Sequence, residues 1–214
     1  NNLGLLLFQA GQLDIAAQSL RKAIIVNPEH TPAYSNLASV LERMGREEDA
    51  IAVHQAAIEI EPTISALHSN LGLLLQKTGR TKEAIDAFQI AMQLAPDSPE
   101  AHNNFANVLQ LTDEFERAEA EFKRAIDLDP NYANAYQNFG SLLIETGQTK
   151  DGIHALRRAI KIQPNHAQAF ANLSAGLNIQ SQHQDAAEAA RRALEIAPDL
   201  ADAQNNLGAA LRAL

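Results

Sequence analysis

An all-α protein built as a solenoid of stacked helical hairpins is predicted by three features of the sequence. Pro28, Pro62, Pro96, Pro130, Pro164 and Pro198 fall 34 residues apart. Columns of small residues repeat on the same period: Ala23, Ala57, Ala91, Ala125, Ala159 and Ala193 in one, and Gly4, Ala38, Gly72, Ala106, Gly140, Ser174 and Gly208 in another. Finally, apolar residues within each period follow helical spacing, and no stretch shows the alternation of a half-buried strand.

Each period reads as two helices. In the segment from 31 to 64, Ala33, Leu37, Val40, Leu41 and Met44 lie on one helical face. Thr31 is expected to cap that helix, with Pro32 at its first position, where a missing N–H costs nothing. Gly45 ends it, because glycine takes the left-handed cap conformation without a Cβ penalty. A second helix carries Ala50, Ile51, His54, Ala57, Ile58 and Ile60, and Pro62 prevents its continuation. Laid on the period, the full units are 31–64, 65–98, 99–132, 133–166 and 167–200. Residues 1–30 form a partial unit and 201–214 a first helix without its partner, all within one repeat domain, 1–214. A lone hairpin cannot bury its apolar stripe. Stacked hairpins make a continuous core, with large side chains such as Leu37, Leu71 and Phe105 filling space beside the small columns.

The residues that carry this pattern resemble the tetratricopeptide (TPR) repeat: Tyr34-x2-Leu37-Ala38-x2-Leu41, Ala84-x3-Phe88 and Pro96, then again Tyr136-x2-Phe139-Gly140 and Ala118-x3-Phe122. The resemblance covers nearly the whole chain. It implies a right-handed α-solenoid whose first helices line a concave groove and whose second helices lie toward the convex side. It also implies a protein-binding scaffold, with an extended peptide or a partner protein in the groove.

One column stands out in that groove. Asn2, Asn36, Asn70, Asn104, Asn138, Asn172 and Asn206 occupy the same place in all seven first helices. Asparagine is a mediocre helix former, so propensity does not account for it. Its amide offers a donor and an acceptor, suited to a peptide backbone of any sequence; equally, it can join neighbouring repeats. Ser35, Ser69, Asn103, Asn107 and Gln137 flank the column and complete the candidate peptide-binding set. An unbroken asparagine ladder is similar to the TPR region of O-GlcNAc transferase, which makes the substrate-recruiting part of a larger glycosyltransferase the alternative reading. Self-assembly through open repeat ends is a third. The positions that form a carboxylate clamp in chaperone-binding TPRs hold Pro32, Ala66, Glu100, Asn134, Gln168 and Asp202, with no lysine, so that mode is disfavoured.

Composition narrows the classes further. A net charge of -9 disfavours nucleic acid and anionic lipid as partners. The absence of cysteine removes thiolate chemistry and Cys-ligated zinc. No apolar run approaches the ~20 residues that cross a bilayer, so membrane insertion is not expected, and a cytoplasmic location is. Asn1 falls inside a repeat, so address signals could have been lost with a native start. No catalytic, cofactor-binding or metal-binding residue is predicted. His68 and His102 take aromatic packing positions, and Glu114, Glu116, Glu119 and Glu121 read as a solvated acidic face. The basic pairs Arg21-Lys22, Lys123-Arg124, Arg157-Arg158 and Arg191-Arg192 read as solvated second-helix faces, with Lys123–Asp127 and Arg191–Glu195 as supporting pairs one turn apart. Residues 167–200, with Gly176 inside a helix, Ser181 where other units have Gly, and Ala187 and Ala190 where larger side chains usually pack, are expected to show faster amide exchange than residues 31–98.

Overall fold

A computed structural model describes residues 1–214 and contains thirteen α-helices and no strand. They run α1 (Asn2–Gln9), α2 (Leu13–Val26), α3 (Thr31–Arg43), α4 (Glu47–Ile60), α5 (Ser65–Lys77), α6 (Thr81–Leu94), α7 (Pro99–Gln110), α8 (Phe115–Leu128), α9 (Ala133–Glu145), α10 (Thr149–Ile162), α11 (Ala167–Ile179), α12 (His183–Ile196) and α13 (Ala201–Ala213). First helices begin at 31, 65, 99, 133, 167 and 201, on the 34-residue period.

The turn inside each hairpin needs one residue with positive φ. Glycine supplies it at Gly11, Gly45, Gly79 and Gly147, while Asp113 and Ser181 take the same conformation at φ 58°. An aspartate tolerates it through local hydrogen bonding, and a serine less well. The other end of each second helix lies two residues before a proline, so no second helix runs through it.

Thr31 departs from its expected role. The helix begins at Thr31 itself, His30 precedes it without a side-chain cap, and Thr31 Oγ1 is buried and donates to Glu61 Oε2. A carboxylate across the hairpin outcompetes the local backbone N–H groups. Ser98 is the first-helix residue that does cap with its side chain, accepting from Ala101 N at 3.2 Å.

The helices form two compact units, 1–96 and 97–214. In the first, α1 to α6, each helix packs on its neighbours in sequence, and α1 also touches α3. In the second, α7 to α13, the first helices form a contiguous row: α7 touches α9, α9 touches α11, and α11 touches α13. Successive second helices do not pack on one another in this way. In the second unit the first-helix side is therefore the tighter one, and the second-helix side opens into clefts.

The small columns set the approach within hairpins. A Cβ on Gly72 would lie 2.8 Å from the Phe88 ring, and one on Gly140 would lie 2.9 Å from the Gly152 carbonyl oxygen. Phe88, Phe122, Leu20 and Leu156 are fully buried at one repeat position of the second helices. His54 occupies that same position in α4, 2% exposed, and its Nδ1 is the only buried side-chain polar atom without a partner. In the last hairpin, Ala187 and Ala190 are fully buried, and a Cβ on Gly176 would meet Ile144 Cδ1 at 2.8 Å. Side chains of the preceding hairpin thus occupy the space the small residues leave.

Candidate functional site

The asparagine column lies on the first helices of both units, and the structure divides its members by what their amides already do. In the first unit Asn36 donates from Nδ2 to Asn1 Oδ1 at 2.8 Å. In the second, Asn138 donates to Asn103 Oδ1 at 3.0 Å and Asn206 donates to the Ala171 carbonyl at 2.9 Å. All three reach back 35 residues, to the position just before the preceding asparagine. This geometry requires adjacent first helices, which is why spacing alone did not reveal it.

Two other members use the opposite half of the amide. Asn172 Oδ1 accepts from Gln168 Nε2 at 3.0 Å, and Asn104 Oδ1 accepts from Asn103 Nδ2 at 3.4 Å. Asn2 and Asn70 are exposed and bond to no other group of the protein. The column therefore contributes to repeat packing and still offers free valence. Asn36, Asn138 and Asn206 keep an open Oδ1, Asn104 and Asn172 keep an open Nδ2, and Asn2 and Asn70 keep both.

The flanking residues separate similarly. Ser35, Ser69, Asn107 and Gln137 are half-buried beside the column. Asn103 is 3% exposed and works as a brace, holding Asn138 and Asn104 in place. Leu73 adds an apolar side chain, 48% exposed, to the same face of α5. Gln168 reaches on to Asp202 Oδ2 at 3.1 Å, so it is an internal tie as well.

The histidines have structural employment. His68 Nε2 lies 2.8 Å from the Pro62 carbonyl, just as the Tyr34 hydroxyl donates to the Pro28 carbonyl at 3.0 Å. Gln204 donates to the Pro198 carbonyl in the same way, at 2.9 Å. The first-helix aromatic position is thus a tether to the turn six residues upstream. His102 Nδ1 pairs with Glu121 Oε2 at 2.6 Å across its hairpin. No group of three or more His, Asp or Glu side chains is arranged to hold a metal ion. No helix is long and apolar enough to cross a membrane.

The acidic face of α8 is largely paired: Glu119 with Lys123 at 2.7 Å, Glu121 with His102, and Glu114 with Arg117. The two pairs expected from spacing are replaced by neighbours. Lys123 chooses Glu119 over Asp127, the favoured order with the acid toward the helix N-terminus, and Glu195 pairs with Arg192 in place of Arg191.

On the second-helix side, clefts open where successive second helices part. One in the first unit, of about 510 Å³, is walled by Ile58, Leu71, Leu75 and Ile90 and edged by Glu59, Glu83 and Asp86. Another in the second unit, of about 320 Å³, is walled by Ile126, Tyr136, Phe139 and Leu143 and edged by Glu119, Lys123, Asp127, Asp151 and His154.

Comparison with known proteins places these features. Three family models described as tetratricopeptide repeat match residues 1–63, 63–131 and 113–177. Among solved structures, YrrB, described as a TPR protein with an unusual peptide-binding site, is 25% identical, with 88% of this chain and 97% of that one covered and a TM-score of 0.61. The Cut9–Hcn1 assembly of the APC/C is 18% identical over 98% of this chain and 41% of its own, with a TM-score of 0.82. PilF of Pseudomonas aeruginosa is 19% identical over 95% and 93%, with a TM-score of 0.77. The last two likenesses concern the fold alone. No curated protein matches the sequence.

Proposed function

Because the chain belongs to the tetratricopeptide repeat family of protein-interaction scaffolds, we propose that the first-helix face of each unit holds an extended peptide by its backbone. The observation that carries this reading is the half-free asparagine column. Internal bonds orient the side chains, so little rotamer freedom remains to be lost on binding, and each amide still presents an unused donor or acceptor. Similarity to YrrB, which has a peptide-binding site, supports the same reading.

The geometry sets a register. Packed helices lie ~8–10 Å apart and an extended chain advances ~3.3 Å per residue, so neighbouring asparagines meet roughly every third residue. Open Oδ1 atoms at Asn36, Asn138 and Asn206 take peptide N–H groups. Open Nδ2 groups at Asn104 and Asn172 meet peptide carbonyls. Selectivity falls to side chains beside the column, among them Leu73, Ser35, Ser69, Asn107 and Gln137.

The test uses peptides enriched from a random display library on the full chain. Asn70→Ala breaks no internal bond, and removing one hydrogen bond to the peptide backbone costs ~0.5–1.5 kcal/mol, or roughly two- to twelvefold in affinity. Asn104→Ala with Asn172→Ala probes the second unit, where it also removes the acceptors of Asn103 and Gln168, so its helical spectrum is checked alongside. N-methylation of single peptide amides, scanned along the sequence, should weaken binding at every third residue or so. Unchanged affinity in both asparagine variants would refute a backbone grip.

A further inference from the structure

A second surface lies on α10. Lys150, His154, Arg157 and Lys161 are all exposed and spaced four, three and four residues apart, which places them in one line along the solvent face of the helix. Lys150, Arg157 and Lys161 form no ion pair. Seven other cations of this acidic chain are in ion pairs, among them Arg46 with Asp49, Arg80 with Glu83, Arg117 with Glu114, Lys123 with Glu119 and Arg192 with Glu195. Arg21, Lys22, Lys82, Arg191 and Arg212 are also unpaired, but no three of these lie in one line on a single helix face.

The stripe belongs to α10 and not to the repeat. The same four positions read Glu48, Ala52, Gln55, Glu59 in α4, then Glu116, Ala120, Lys123, Asp127 in α8, and Gln184, Glu188, Arg191, Glu195 in α12. Packing therefore tolerates acids there and does not require bases. Beside the stripe lies the cleft over α9, with Tyr136, Phe139 and Leu143 at its floor and wall and His154 shared between the two features. Glu119, Asp127 and Asp151 also edge the cleft, Glu119 being paired with Lys123, so an occupant's carboxylates belong on the stripe and only an apolar side chain in the cleft. Arg158, the neighbour of Arg157, lies 5.9 Å over the Tyr136 ring and donates to the Pro130 carbonyl at 3.4 Å, which turns that side chain toward the cleft wall.

We propose that the outer face of α10 and its cleft form a docking site for an acidic, amphipathic helical segment of a partner protein. Its carboxylates pair along Lys150, Arg157 and Lys161, and one large apolar side chain enters the cleft between α8 and α10. Charge complementarity selects the occupant: unpaired cations in a line on a chain of net charge -9 attract a short acidic segment. The apolar floor of the cleft adds what a bare polyanion lacks, a buried anchor. The surface is separate from the asparagine column, so both can be occupied at once.

The experiment uses the full chain and a labelled helical peptide of about 15 residues that spans the stripe, with glutamates at the matching spacing and one phenylalanine. Anisotropy titration at low salt should show binding that weakens as salt is raised. Lys150→Glu with Arg157→Glu and Lys161→Glu should weaken it roughly tenfold or more, three exposed pairs being replaced by repulsion. The milder Lys150→Gln with Lys161→Gln should weaken it less, and a peptide with alanine for the phenylalanine should also bind less tightly. Asn104→Ala with Asn172→Ala should leave this binding unchanged, which separates it from the proposed groove. Equal binding of the lysine-for-glutamate peptide, or indifference to charge reversal in a variant with an unchanged helical spectrum, would overturn the proposal. So would stripe-dependent binding of single-stranded DNA or phosphatidylserine vesicles that exceeds that of the peptide.

Discussion

Replacing His54 by leucine tests how the hairpin core tolerates a polar ring. Burial pushes the His54 imidazole down from its ordinary value of 6.5 to about 4, because a charged ring inside the α3–α4 hairpin has no water around it. The folded value is below the unfolded one, so the unfolded chain takes up the proton first. Stability is then full above the unfolded value and is lost as the pH falls, at up to about 1.4 kcal/mol per pH unit between about 6.5 and 4. Between about pH 7 and pH 5 this amounts to about 2 kcal/mol. Leucine, the residue at the same position in α2 and α10, abolishes that loss. It also removes an unpartnered buried nitrogen, worth about 1–3 kcal/mol at any pH. The assay is urea denaturation of wild type and His54→Leu across that range, with NMR titration of the His54 ring. His166, also pushed down by burial, leaves a residual slope of the same sign in both proteins. A His54 ring that titrates near its ordinary value, or an identical pH slope in the two proteins, would refute the reasoning.

Three further outcomes follow from the packing. Ser181→Gly relieves a left-handed serine and should stabilise by about 1 kcal/mol, raising Tm by about 2–4 °C in a thermal melt, with a smaller gain for Asp113→Gly. Gly152→Ala should destabilise by about 1–3 kcal/mol in denaturant titration, since its Cβ would lie 2.7 Å from the Gly140 carbonyl and the two backbones must separate. Thr31→Val keeps the shape but strips the buried donor to Glu61, and should cost the first unit about 1–2 kcal/mol, read as earlier local amide exchange in α3 and α4.

The helices, their order and their repeat period were legible because the signals are local, and the start of α3 was missed by one residue. A proline after each second helix and a glycine in most hairpin turns act on their own neighbours, and the small columns repeat with them. Asp113 and Ser181 show the limit of that logic: the turn persists without glycine because the hairpin packing imposes positive φ. The asparagine column was visible as a pattern, and its position on the first helices followed from the period. What each amide does was not visible, because the partner of Asn138 is 35 residues away and is chosen by helix adjacency. The same holds for Thr31, whose partner Glu61 comes from the far end of the hairpin, and for Lys123, which had two acids within reach on its own helix. Four bases on α10 could be read from spacing, but their freedom from ion pairs depends on where every carboxylate lies. Sequence alone thus determined the hairpins and the residues available on each face, since both follow from backbone periodicity. Tertiary structure decided which polar groups are consumed within the protein and which remain open to a partner, because hydrogen bonds and ion pairs form between atoms brought within reach only by packing.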